Sequence, residues 1–331
     1  MSQAASLHTY DAARKRAAFI DRSDRGRIVV SGNDRASYLQ GLLTNDVVAL
    51  AAGQGCYAAY LTAQGRMIAD VYVYELGDVM LLAMAGDVKD AVMAKLDQFI
   101  FGEDVQLGDV TGTFAQIAVV GPAAAASVAR ALGSIDAGAL RALPEHGNVR
   151  TEWSGGAAIV IRIADVGEPG FDVYVEYKQA SALKSALAAA DVAELDAATA
   201  DTLRIETGVP LFHRDMDEET IPLEAGIESR AISFTKGCYV GQEVVIRVLH
   251  RGHGRVARKL VGLALDGSQA PAPGATIRAG DREVGQVTSS TISPALQKPI
   301  ALGYVHRDFV EPGTKVSVDG VDAEIRTLPF A

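Results

Sequence analysis

Hydrophobic positions along the chain follow two periods in turn. Arg27-Ile28-Val29-Val30-Ser31-Gly32 reads as a short strand. Asn33 or Asp34 is placed to cap a helix over Arg35 to Leu43, whose Leu39, Leu42 and Leu43 share one face. Gly53 and Gly55 mark a turn before a strand from Cys56 to Thr62. Met67 to Glu75, alternating through Val71, Tyr72, Val73 and Tyr74, pairs with Val79 to Met84 across the Gly77-Asp78 turn. Val88, Val92, Leu96 and Phe99 recur at helical spacing, with Asp87 as the expected cap. Further strands are predicted at Phe114 to Val120, Ala157 to Ile163 and Phe171 to Val175, and helices at Ala123 to Leu132, Ser181 to Ala190 and Ala197 to Thr207.

Hairpins and helices mixed without regular strand–helix alternation predict an α+β fold with antiparallel sheets. After about Arg255 the texture changes to short Val-rich and Ile-rich segments divided by Pro-Gly and Gly-Asp turns, without a convincing helix. That pattern predicts a small antiparallel barrel or sandwich. The chain therefore divides into an α+β region over 1–248, expected to hold two subdomains, and a C-terminal β-barrel over 249–331.

Composition narrows the chemistry. The 331 residues carry a net charge of −10, which disfavours a general nucleic-acid binder. Two cysteines, Cys56 and Cys238, are too few for a disulfide scaffold or for a four-thiolate iron–sulfur cluster within one chain. No metal-ligand spacing is present, and the pair His250 and His253 lacks an evident third ligand. With no signal-peptide core or membrane-length apolar run, a cytoplasmic protein without a membrane partner is expected. Gly252 to Ala257 fits a dinucleotide-type glycine pattern, but a strand is expected after it where such a site needs a helix.

The sharpest local feature is Lys236-Gly237-Cys238-Tyr239-Val240-Gly241-Gln242-Glu243. A thiol two residues from a lysine can be held as thiolate, with flanking glycines allowing tight turns that present it; equally, Cys238 can be a small buried hydrophobe. Residues 236–259 carry six Lys and Arg against one Glu, a positive stretch that reads either as a face for an anionic partner or as a solvated linker.

The octapeptide resembles the signature of the YgfZ-type folate-binding proteins, relatives of the glycine-cleavage T-protein. The resemblance extends through Val30 to Arg35, Tyr38 to Val47, Gln64 to Val71, Gly167 to Asp172 and Leu203 to Pro210, covering nearly the whole chain. It implies a tetrahydrofolate site. Asp70 matches the aspartate near the reacting folate nitrogens, and Asp172 stands where the T-protein usually has a glutamate on the pterin. Arg204 is a candidate for the ligand's anionic end or for an internal pair with Glu206. Tyr72 lines the cavity or packs in the core, and Asp70 has the alternative of a plain turn carboxylate.

Taken through the YgfZ branch, the resemblance implies a folate-binding accessory protein for iron–sulfur cluster assembly, transfer or repair, in support of tRNA-modifying iron–sulfur enzymes. Cys238 would then be the reactive thiol, Lys236 its thiolate support, and iron–sulfur client or assembly proteins its partners. The enzymatic alternative is a folate-dependent aminomethyltransferase like the T-protein. A folate-dependent scaffold whose thiol is incidental is the third.

Overall fold

The computed structural model describes residues 3–250 and 256–330. Helix α1 (Gln3–Lys15) precedes β1 (Ala18–Asp21) and β2 (Gly26–Ser31), and α2 (Arg35–Leu42) follows. Then come β3 (Gly55–Leu61), β4 (Met67–Glu75), β5 (Met80–Met84), α3 (Lys89–Asp97), β6 (Gln106–Asp109) and β7 (Phe114–Val120). The middle of the chain supplies α4 (Ala124–Leu132), α5 (Ala137–Ala142), β8 (Asn148–Trp153), β9 (Gly156–Ile163), β10 (Gly170–Glu176), α6 (Ala180–Ala189), β11 (Ala193–Glu194) and α7 (Ala197–Thr207). Short helices α8 (Pro222–Ala225) and α9 (Glu228–Ala231) lead to α10 (Gln242–His250). The last strands are β12 (Arg258–Leu265), β13 (Thr276–Ala279), β14 (Arg282–Ser293), β15 (Lys298–His306), β16 (Lys315–Val318) and β17 (Val321–Arg326).

These strands form two open sheets and a closed barrel. One sheet runs β3-β4-β5-β2-β6, the other β11-β1-β7-β10-β9-β8, and the barrel β12-β15-β14-β13-β16-β17. The α+β class with a terminal barrel is the architecture observed. The chain crosses from the six-stranded sheet to the five-stranded one between β1 and β2, so residues 22–25 lie where the two sheets meet.

The period-two alternation of β10 explains how the six-stranded sheet presents chemistry. Phe171, Val173 and Val175 face one core, shared with Val128 of α4 and Leu183 and Leu187 of α6. Tyr174 instead packs in the core built around the five-stranded sheet, with Tyr57, Tyr72 and Tyr74. A side chain turned the other way on each residue follows from strand geometry. Asp172 and Tyr174 therefore point from one sheet toward the tyrosines of the other.

Most predicted elements occupy their expected places, and three details differ. The Asp87 carboxylate does not cap α3; Val88 holds the cap position and Asp87 bonds the His213 ring at 2.6 Å. Asp34 precedes α2 without a side-chain cap bond, because its Oδ2 accepts from the Asp104 amide. The stretch after the octapeptide begins as helix α10, not as a linker strand. Arg251, Gly252, His253, Gly254 and Arg255, which figured in the positive stretch and the glycine pattern, lie outside the described residues, and a strand, β12, comes after them. Among the described residues no helix is long and apolar enough to cross a membrane.

Candidate functional site

Antiparallel pairing of β3 with β4 sets Tyr57 opposite Tyr72 and Ala59 opposite Asp70. Since side chains two apart share a face, Asp70, Tyr72 and Tyr74 line up on the same side of β4. The Tyr57 and Tyr72 rings lie 4.9 Å apart, and the Tyr57 hydroxyl donates to Asp70 Oδ2 at 3.0 Å. Burial raises the Asp70 pKa, while the Arg25 charge and the Tyr57 hydrogen bond oppose that rise. The result is a carboxyl whose ordinary readiness to ionise is curbed, fixed in orientation by a phenol.

Asp70 and Tyr72 open into a groove of about 320 Å³ that also contains Arg22, Arg25, Asp165 and Arg204. Arg22 grips Asp165 through two N–H groups, at 2.8 and 3.3 Å. Burial raises the Asp165 pKa, but Arg22 outweighs it and holds the carboxyl below its usual range. Arg25 lies over the Tyr72 ring, its guanidinium carbon 5.2 Å from the centroid. Its Nε is sealed from solvent without a partner.

Asp172 is 3% exposed. Gln116 donates to its Oδ2 at 2.8 Å, whereas Oδ1 has no hydrogen bond and only the more distant charge of Arg22, at 3.6 Å. Burial raises this pKa as well, against the pull of Arg22. The Tyr174 hydroxyl is likewise buried and unpartnered. Buried polar atoms left unsatisfied are costly, and two stand on one face of β10, neither residue being part of the groove lining.

The other expected site residues fall elsewhere or serve other ends. Arg204 borders the groove but is fully engaged: Nε bonds Asp201 at 2.8 Å, Nη1 bonds Asp215 and the Val209 carbonyl at 2.7 Å each, and Nη2 bonds Ser289 at 2.9 Å. Nη2 also lies 2.8 Å from Asp201, so all five N–H donors are taken and none is left for a ligand's anionic end; its partners are Asp201 and Asp215 rather than Glu206. Lys236 sends its ammonium into the carbonyls of Gln40, Leu43 and Asn45, at 2.6, 2.6 and 2.9 Å. With three donors and three acceptors, nothing remains to support a thiolate at Cys238, which corrects that expectation. Burial lowers the Lys236 pKa to about 8.

Cys238 is exposed and lies outside the groove lining. Its neighbours explain the octapeptide through packing. Gly241 has φ +85°, and a Cβ there would sit 2.6 Å from the Thr62 carbonyl. Lys236 ties up the end of α2.

Sequence reasoning missed Tyr57, Arg22, Arg25 and Asp165. The available signal for the arginines was the charged run Asp21-Arg22-Ser23-Asp24-Arg25 set between two apolar strands. A run like that usually reads as an exposed turn.

Comparison with known proteins decides the family. Residues 2–236 match the model of the GCVT N-terminal domain, and residues 258–330 that of the glycine cleavage T-protein C-terminal barrel domain. The chain belongs to the glycine-cleavage T-protein family. Among its curated relatives, an aminomethyltransferase of Rubrobacter xylanophilus is 35% identical over 97% of this chain and 85% of its own length. The aminomethyltransferase of Geobacillus kaustophilus is 34% identical over 97% of this chain and 89% of its own. The crystal structure of glycine cleavage system aminomethyltransferase T from Bartonella henselae superposes with a TM-score of 0.89 at 25% identity, covering 98% of this chain and 89% of that one.

These relatives overturn the expected iron–sulfur accessory role and, with it, the iron–sulfur client partners. Aminomethyltransferases align across nearly the whole of this T-protein family member. The octapeptide that suggested otherwise is accounted for by backbone packing and by a lysine that binds carbonyls.

Proposed function

We propose that the protein is a tetrahydrofolate-dependent aminomethyltransferase, with 1–248 holding the folate and 249–331 forming a C-terminal barrel domain. The observation that supports this most directly is the Asp70 carboxyl, pinned by Tyr57 beside a groove and facing a sheet whose Asp172 Oδ1 and Tyr174 hydroxyl lack partners. Those residues fit the ligand. A pterin edge carries N–H donors that suit Asp172, and its aromatic body suits a wall of tyrosines.

Tetrahydrofolate supplies the nitrogens that take up the one-carbon unit. The chain's own part is to orient and to manage protons. Tyr57 fixes the Asp70 carboxyl, whose raised pKa suits it to hold or receive a proton at Oδ1 or Oδ2. Tyr72 and Tyr74 exclude water from the carboxyl's surroundings, and Arg22 keeps Asp165 ionised beside it.

The Bartonella henselae protein is an aminomethyltransferase of a glycine cleavage system, and in this reading the donor is an aminomethyl group on a lipoyl carrier. The octapeptide additionally supports grouping the chain with the YgfZ-type branch, a matter of descent from which no separate activity is inferred. The deciding experiment is transfer of the one-carbon unit from an aminomethylated lipoyl carrier to tetrahydrofolate. Turnover that persists in Cys238→Ala is the expected result, and no turnover by the wild-type protein at saturating tetrahydrofolate would refute the reading.

A further inference from the structure

We propose that Arg25 is a specificity-determining residue that reads the 4-oxo group of the pterin ring, beside the amino edge taken by Asp172. The inference rests on the folate reading above and adds a residue and a discrimination to it.

Four arginines of the described residues line the groove, and three are committed. Arg22 grips Asp165, Arg204 holds Asp201 and Asp215, and Arg214 pairs with Asp201 at 3.0 Å. Arg25 differs. Its guanidinium makes no hydrogen bond among the described residues, and its Nε is buried and orphaned. The Tyr72 ring lies under the group, 5.2 Å from the guanidinium carbon, a contact that uses none of its N–H donors.

The Asp165 and Asp172 charges both act on Arg25, and Arg22, which lines the groove with it, stands 3.6 Å from Asp172 Oδ1, so the uncommitted donors of Arg25 and that uncommitted acceptor belong to one cluster. Arg25 stands on the β1–β2 crossing and lines the groove, while Asp172 on β10 lies behind that lining. A carboxylate beside a guanidinium presents acceptors next to donors. The complementary pterin edge runs amino donor, ring N–H donor, oxo acceptor. A 4-amino ring replaces that last acceptor with a donor, which Arg25 would face with N–H against N–H, and its N3 no longer carries the ring N–H that Asp172 would accept.

Anaerobic titration of the full chain with tetrahydrofolate and with its 4-amino-4-deoxy analogue tests the inference. The wild-type protein is expected to bind the 4-oxo ligand at least about ten-fold more tightly, the effect of a charged hydrogen bond gained against one lost. Arg25→Met, with folding checked by circular dichroism, is expected to weaken the 4-oxo ligand about ten-fold, leave the 4-amino ligand nearly unchanged and so lower the ratio about ten-fold, what preference remains being that of Asp172 for the ring N–H. Arg25→Lys retains one charged donor and is expected to keep an intermediate preference. Equal affinity of the wild-type protein for the two ligands, or an equal loss for both in Arg25→Met, would overturn the assignment. If neither ligand binds the wild-type protein at millimolar concentration, the folate reading itself fails.

Discussion

The Arg204 guanidinium meets the Asp215 carboxylate at 2.7 Å, with the Asp215 side chain wholly sealed from solvent, where α7 faces barrel strand β14. Thr288 of the same strand donates to the other Asp215 oxygen at 2.5 Å, and the Leu211 amide adds a bond at 3.1 Å. The pair is a joint between α+β region and barrel. Arg204→Met is expected to cost about 3 kcal/mol of unfolding free energy, because it strands a buried carboxylate. Urea unfolding measures this, and tetrahydrofolate affinity in the folded variant should stay within about two-fold of wild type.

Asp70 faces the opposite test. Asn keeps its shape and its contact with Tyr57 but cannot take up a proton. Asp70→Asn is expected to lower the rate of one-carbon transfer by about 100-fold or more, the range for loss of a positioned acid or base, with a small change in stability. Steady-state kinetics with a lipoyl carrier and a thermal melt separate the two effects.

The cysteines should react unequally. Burial pushes the Cys56 thiol up to about 12, whereas Cys238 is exposed. Iodoacetamide at neutral pH is expected to label Cys238 and spare Cys56, read by peptide mass spectrometry. Cys238→Ser should alter stability by no more than about 0.5 kcal/mol, as surface substitutions generally do.

His213 sets a pH dependence. Hydrogen bonds to Asp87 and Glu218 raise its pKa above the unfolded value of about 6.5. A raised folded-state pKa means the folded chain retains a proton that the unfolded chain releases. The stabilisation is thus fully present below about pH 6.5 and fades as pH rises through the folded-state pKa. His213 has φ +63°, so Asn is the replacement that tolerates the backbone. His213→Asn should flatten the dependence of melting temperature between pH 6 and pH 8 relative to wild type.

Lys236 offers a final test. Lys236→Met leaves the carbonyls of Gln40, Leu43 and Asn45 without their shared donor, at an expected cost of about 2 kcal/mol in denaturant unfolding. One-carbon transfer by the folded fraction should be preserved.

What could be read in advance was whatever neighbours in the chain decide. β4 and β7 match their expected limits because alternation and flanking turns are local signals. Helix α1 escaped notice since its polar face dominates, and its buried Tyr10, Ala12 and Ala13 share a core with β1 next to it and with Ala118, Val120, Ile163 and Leu203 far along the chain. The cap expected of Asp87 failed for the same reason, as its partner His213 lies 126 residues on. Asp70 could be proposed from a resemblance, yet Tyr57, which orients it, acquires meaning only through the β3–β4 register. Arg25 looked like one charge in an exposed turn until two sheets closed around it.

Glu206 is fully buried on α7, and its carboxylate is shared by Tyr10 and Arg14 of α1 and by Ser293 of the barrel, while its backbone carbonyl accepts the Phe330 amide. Tyr10 precedes it by 196 residues and Ser293 follows it by 87. During synthesis, the first helix therefore waits for the Oε2 atom of Glu206, while Oε1 of the same carboxylate waits for the barrel. Folding of the α+β region should finish only once the barrel is available, with α1 among the last parts to gain protection from hydrogen exchange.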